Sequence, residues 1–200
     1  MSQLTFIYST VNAGKTANLL MRAHSCSERG MSFLIFVPDV VQTRDGVAQV
    51  ASRIGFTHEA LPLSASCLPS EMISTEALEK ELSYDVVFVD ESQFLTRDQV
   101  IDLTHIADSM GIPVFAYGLR TDFKGNPFEG STFLMAWSDK IEEIATFAIG
   151  GDKAIFNQKV GEKGERITEG KSIDAGFHYV PVTRSEFGLK AYTKIGRAHV

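Results

Sequence analysis

The apolar run Leu4-Thr5-Phe6-Ile7-Tyr8 leads directly into Ser9-Thr10-Val11-Asn12-Ala13-Gly14-Lys15-Thr16, and a helical segment from Ala17 to His24 follows. A strand that passes through a loop into a helix returns to its sheet by a crossover, which places the next strand parallel to the first. The loop ends in Gly-Lys-Thr, the tail of the phosphate-binding pattern G-x-x-x-x-G-K-[ST], whose backbone N–H groups wrap phosphate oxygens at a helix N-terminus. Lys15 is expected on the β- and γ-phosphates and the Thr16 hydroxyl on Mg²⁺. The pattern opens with Gly and Ser9 stands in that place, so the match is incomplete, but the flanking strand and helix supply the structural context it requires.

A second motif lies downstream. Asp85-Val86-Val87-Phe88-Val89-Asp90-Glu91 is a short apolar strand that ends in two carboxylates. Opposite a phosphate loop, the tip of a central strand is where an aspartate holds Mg²⁺, and Asp90 fits that place.

The remaining segments alternate in kind. Ala17 to Arg29, with Leu19, Leu20 and Ala23 on one side, reads as a helix stopped by Gly30. Phe33 to Val37 reads as a strand buried on both faces. Asp39 to Gly55 is polar, and its Arg44 and Arg53 are candidates either for phosphate contact or for solvated surface. His58 to Pro69 is irregular, Ser70 to Leu78 reads as a helix with Ser70 as its cap, and Gln99 to Met110 reads as another, ended by Gly111. Ile112 to Tyr117 is a further strand. Strands alternating with helices imply a parallel sheet covered on both faces. After Gly118 the stretch from Leu119 to Phe128 is a loop with two aromatics, suited either to stacking on a flat base or to closing the core edge. Lys153 to Val160 and Glu165 to Thr168 flank Gly161-Glu162-Lys163-Gly164, a hairpin signature.

A chain of 200 residues with a 44% hydrophobic share suits one core with a small appendage. Its formal net charge of −6 argues against a polyanion as main partner, since non-specific nucleic-acid binding rests on clustered Lys and Arg. No apolar run approaches membrane-spanning length and no leader pattern precedes the first strand, so a cytoplasmic protein without membrane or nucleic-acid partners is expected. Cys26 and Cys67 are too few for a zinc motif or a disulfide framework and are read as small core residues.

Taken together, the phosphate loop, Asp90-Glu91-Ser92-Gln93-Phe94, Tyr117-Gly118-Leu119-Arg120-Thr121-Asp122-Phe123 and Gly176-Phe177-His178-Tyr179-Val180-Pro181-Val182 resemble the type II, cytosolic thymidine kinases over nearly the whole chain. The resemblance implies a P-loop, RecA-like α/β fold: a kinase domain over residues 1–140 and a small hairpin and lasso subdomain over 141–194. It also implies ATP-dependent, Mg²⁺-dependent phosphorylation of the 5′-hydroxyl of thymidine, a nucleotide-salvage step that feeds DNA synthesis, in a homotetramer. On the same ground Ser9 to Thr16 and Asp90 to Gln93 form the ATP site, and Glu91 is the general base. Leu119, Phe123 and Phe128 enclose the nucleoside, and Tyr179 belongs to a lasso loop that covers the thymine.

The chain departs from the family at its metal. The resemblance implies a structural zinc held by two pairs of ligands, and the corresponding positions fall near Ala148 and Gly150 and at Thr183 and Glu186, so no zinc is expected. Gln42 stands where an acidic residue often precedes the pair matching Thr43-Arg44. Two other readings stay open at this point: a RecA-like ATPase acting on nucleic acid, and a non-catalytic nucleotide-binding relative. The final Ile195-Gly196-Arg197-Ala198-His199-Val200 equals the translation of a common library-adapter sequence, and residues 195–200 are read as an artefact of that origin.

Overall fold

The computed structural model describes residues 2–41, 49–161, 164–170 and 178–188. Gln42, Thr43, Arg44, Glu162, Lys163, Gly176, Phe177 and the stretch 195–200 lie outside the described residues.

In chain order the elements are β1 (Leu4–Ser9), α1 (Lys15–Glu28), β2 (Phe33–Pro38), β3 (Gln49–Ala51), β4 (Thr57–Glu59), β5 (Leu61–Leu63), α2 (Pro69–Lys80), β6 (Val86–Val89), α3 (Arg97–Asp108), β7 (Val114–Leu119), α4 (Glu129–Trp137) and β8 (Lys140–Glu143). The smaller elements β9 (Thr146–Phe147), β10 (Lys153–Ala154), β11 (Phe156–Val160), β12 (Arg166–Ile167), β13 (His178–Val182) and α5 (Arg184–Gly188) complete the described chain.

Six strands form one sheet in the order β5-β2-β6-β7-β1-β8, with every neighbouring pair parallel. Period-two alternation sorts the side chains between its faces. Leu4 and Phe6, Leu34 and Phe36, Val87 and Val89, Val114 and Ala116 meet Ile73 of α2, Leu103 and Ile106 of α3 and Leu134 of α4. Ile7, Ile35, Val37, Phe88 and Tyr117 meet Leu19, Leu20 and Ala23 of α1 on the other side. The expected P-loop α/β sheet with helices on both faces is therefore present. β7 lies between β1, which leads into the phosphate loop, and β6, which ends at Asp90.

Three local expectations need correction. His58 to Pro69 is not irregular throughout: Leu61-Pro62-Leu63 is the edge strand, pairing with Phe36 to Pro38. Proline lacks a ladder donor, which an edge strand tolerates on its outer side. Ser70 does not cap α2: the N-cap is Leu68 and Pro69 occupies the first turn. The Ser70 N–H and hydroxyl instead donate to the two oxygens of Asp102 on α3, each at 2.7 Å, so a side chain from another helix satisfies this terminus. α3 begins earlier than read from the sequence, at a capping box formed by Thr96 and Gln99.

The C-terminal part holds small antiparallel sheets, β9 with β10 and β12-β11-β13. The expected hairpin pairs Lys159 with Ile167 and Val160 with Arg166. Neither cysteine is bonded to another, and both are half-buried, Cys67 packing on one core and Cys26 on the other.

Candidate active site

The loop after β1 turns through two left-handed residues, Asn12 at φ 62° and Gly14 at φ 79°. A carbon at Gly14 would find open space, so backbone conformation alone demands glycine there. The first backbone bond of α1 runs from Asn18 N–H to the Gly14 carbonyl. The N–H groups before it have no partner within the helix and aim at whatever anion occupies the loop.

Ser9 accounts for the missing first glycine of the pattern. Its Oγ donates to the Ile144 carbonyl at 2.6 Å and lies 3.0 Å from Thr146 Oγ1, so the side chain fastens the start of the loop to the chain beyond β8. Val11 N–H donates to Asn157 Oδ1 at 2.8 Å, and Asn12 Nδ2 to the Tyr179 carbonyl at 3.3 Å.

Lys15 is buried, and its Nζ donates to the Thr10 carbonyl at 2.9 Å. Burial pulls its pKa below the ordinary lysine value, while the Glu91 and Asp90 carboxylates oppose that shift. The Thr16 hydroxyl donates to Asp90 Oδ2 at 2.8 Å, which joins the two motifs across β7. Asp90 is itself buried, its N–H donating to the Phe36 carbonyl and its Oδ1 accepting the Glu91 N–H. Burial, with the Glu91 charge second, pushes the Asp90 carboxyl up to about 7.

Glu91 sits at φ 51°, a conformation a non-glycine residue rarely adopts and one that clusters at functional sites. The 3₁₀ turn that follows, Ser92–Phe94, carries its support. Gln93 Nε2 donates to Glu91 Oε2 at 2.5 Å, while Gln93 Oε1 accepts the Leu119 N–H at 3.0 Å. One amide therefore orients the carboxylate and ties it to the end of β7. A cavity of about 410 Å³ is bounded by the loop residues Val11 to Thr16, by Glu91 and Leu119, and by Ala51 to Ile54 on the far side.

Most of the expected site residues meet here, but not all in the expected way. Ser92 and Gln93 are buried behind Glu91 and do not line the cavity. Leu119 lines it, whereas Phe123 is buried with its ring centroid 6.4 Å from that of Tyr179. Phe128 packs edge-on against Phe94 at 5.4 Å, just before α4. Arg53 borders the cavity and is exposed, and Arg44 lies outside the described residues. Sequence reasoning missed Asn157: besides accepting from Val11, its Nδ2 donates to the Thr121 carbonyl at 3.2 Å. A polar residue inside the strand-like run Lys153 to Val160 was the available signal.

Among the described residues, no group of three or more His, Cys, Asp and Glu side chains stands together as a metal site would require. The hydroxyl of Thr16 and the carboxylate of Asp90 are the kind of oxygen donors that Mg²⁺ takes alongside substrate phosphates.

Residues 2–187 match the family model described as thymidine kinase. Similar proteins include the thymidine kinase of Coxiella burnetii, 41% identical over 191 residues that span 94% of this chain and 96% of that protein. Those of Legionella pneumophila strain Philadelphia 1 (42% over 177 residues, 88% and 83%) and Rhodopirellula baltica (42% over 196 residues, 97% and 92%) are as near. Likeness that runs nearly the length of the chain, in the family model and in the relatives alike, makes it a member of the thymidine kinase family.

Proposed function

We propose that the chain transfers the γ-phosphate of ATP to the 5′-hydroxyl of thymidine. The observation that carries this reading is the facing of Glu91 and the phosphate loop across one cavity, with the Thr16–Asp90 hydrogen bond at its base. Phosphoryl transfer asks the protein for positioning and charge stabilisation more than for covalent chemistry. Backbone N–H groups at the start of α1 hold the phosphates, and Lys15, already held close by Thr10, offsets their charge. Thr16 and Asp90 would hold Mg²⁺, which supplies charge neutralisation on the phosphate oxygens.

Glu91 accepts the proton of the 5′-hydroxyl as its oxygen bonds to the γ-phosphorus and the bond to the β–γ bridging oxygen breaks, releasing ADP. Gln93 keeps the second carboxylate oxygen occupied so that Glu91 presents one face. Leu119, Phe123, Phe128 and Tyr179 enclose the nucleoside, with the Phe123–Tyr179 pair as the aromatic wall. Zinc has no part in this reading, because Ala148, Gly150, Thr183 and Glu186 stand at the positions the resemblance assigns to its ligands.

The reading includes a homotetramer in the cytoplasm. Support for assembly comes from exposed Trp137, Ile141 and Phe147 near the outer strand β8, and support for the compartment from two free thiols. No helix among the described residues is long and apolar enough to cross a membrane. Incubation with labelled thymidine and ATP, followed by separation on a thin layer, tests the activity: thymidine monophosphate is expected. ATP hydrolysis stimulated by single-stranded DNA, with no monophosphate formed, would replace this reading with the ATPase.

A further inference from the structure

Thr183 and Glu186 are committed to each other. Glu186 Oε2 accepts the Thr183 N–H at 2.7 Å, and Thr183 Oγ1 accepts the Glu186 N–H at 3.2 Å. This reciprocal pair is a capping box, and it opens α5. On the other side, Ala148 N–H donates to the Asp152 carbonyl and Gly151 N–H to the Ala148 carbonyl, which makes a turn whose residues Ala148 and Gly150 offer no side-chain donor. Structural zinc requires thiolate, imidazole or carboxylate ligands in a closed shell, and this set does not fit it.

The capped turn delivers Phe187. Its ring stacks on Phe156 with centroids 4.4 Å apart and planes at 15°. The Arg166 guanidinium lies over the same ring at 4.7 Å, and Arg166 Nη1 donates to the Phe187 carbonyl at 2.7 Å. The ring also reaches the loop between β7 and α4, because a carbon added at Gly125 would lie 3.0 Å from Phe187 Cε1. Gly125 belongs to a turn closed by Asp122, whose Oδ1 accepts the Lys124 and Asn126 N–H groups, and Phe123 sits within that turn facing Tyr179.

We propose that Phe187, presented by the Thr183–Glu186 capping box, is a metal-free positioning residue that wedges the Asp122–Asn126 turn in place and so holds Phe123 against the strand of Tyr179. The consequence for thymidine rests on the proposed function; the consequence for the turn does not. An aromatic stack between α5, β11 and the loop does the work of a metal knuckle, since it joins the segments at one point.

The test uses the full chain and the variants Phe187→Leu, Gly125→Ala and the double variant. Elemental analysis of protein purified without chelator is expected to find far less than one zinc per chain, and added chelator is expected to leave the melting temperature unchanged. Phe187→Leu should raise the thymidine KM roughly tenfold with the ATP KM within about twofold, and should speed amide exchange across residues 122–126. Gly125→Ala presses the same contact from the loop side and also strains a left-handed backbone at φ 87°, so the contact share of its effect should shrink in the Phe187→Leu background while the backbone share stays. Stoichiometric zinc whose removal lowers the melting temperature would overturn the metal-free anchor. Unchanged exchange at 122–126, or fully additive variants, would overturn the wedge. If Phe187→Leu does not fold, amide exchange and thymidine KM in Phe156→Leu, which thins the same stack without touching the Gly125 backbone, decide in its place, an unchanged pair counting against the wedge. A wild-type chain inactive on thymidine would remove the functional reading, while the exchange and zinc measurements would still decide this one.

Discussion

At the scale of single residues, the site turns on two adjacent carboxylates with different surroundings. Glu91 is half-buried on the cavity wall with one hydrogen bond from Gln93, whereas Asp90 is enclosed behind it and bonded to Thr16. Glu91→Gln keeps the shape and removes the proposed proton acceptor, so turnover should fall by ~10²–10⁴-fold with substrate affinities nearly intact. A fall of less than tenfold in single-turnover kinetics would assign the base elsewhere. Asp90 carries a pH prediction. Its folded-state pKa of about 7 lies above the ordinary 3.8, so between those values the folded state binds more protons than the unfolded one. Stability of the ligand-free protein should therefore fall as pH rises through that window. Asp90→Asn should flatten this slope, which urea melts at both ends of the window would measure. An unchanged slope would place its origin in another group.

At the scale of elements, the site depends on how closely α4 approaches the 3₁₀ turn that follows Glu91. A carbon added at Gly130 would lie 2.5 Å from the Ser92 carbonyl, 2.8 Å from that of Leu95 and 2.9 Å from that of Gln93, all backbone atoms that cannot step aside. Gly118 shows the same closeness from β7, with Ser92 Oγ at 2.7 Å from such a carbon. Gly130→Ala should push the turn away from the helix at a cost of about 1–3 kcal/mol and carry Gln93 with it. A lower melting temperature together with lost turnover is expected. Full activity at a lowered melting temperature would show that the turn can shift without disturbing Glu91.

At the scale of the whole molecule, the C-terminal unit is fastened to the phosphate loop by several hydrogen bonds. Ser9 reaches Ile144, Asn157 bridges Val11 and Thr121, Asn12 reaches Tyr179, and Arg120 Nη2 donates to the Ile155 carbonyl at 3.1 Å. Asn157 is the one side chain among these that holds both the loop after β1 and the loop after β7. Asn157→Ala leaves a buried N–H and a buried carbonyl without their partner, a loss of about 1–3 kcal/mol. The KM values for ATP and thymidine should rise together. A change in only one of them would mean that the two loops are held independently.

Local chemistry alone determined much of this protein. Gly14-Lys15-Thr16 after an apolar strand, the Asp90-Glu91 tip and the alternation of strand and helix are short-range patterns, because they record backbone conformation and period-two burial within one element. They were enough to place the parallel sheet, the loop that opens α1 and the acidic pair at the end of β6. What lay beyond them depends on residues far apart in sequence. That Pro62 lies in an edge strand, that Asp102 caps a neighbouring helix, that Gln93 stands behind Glu91 and that Asn157 ties two loops were decided only when the elements packed. A buried polar group must find a partner wherever the fold supplies one, and no local pattern encodes which distant segment that is. The same reason separates Thr183 and Glu186 as unremarkable letters from Thr183 and Glu186 as the cap that places Phe187 beside Gly125.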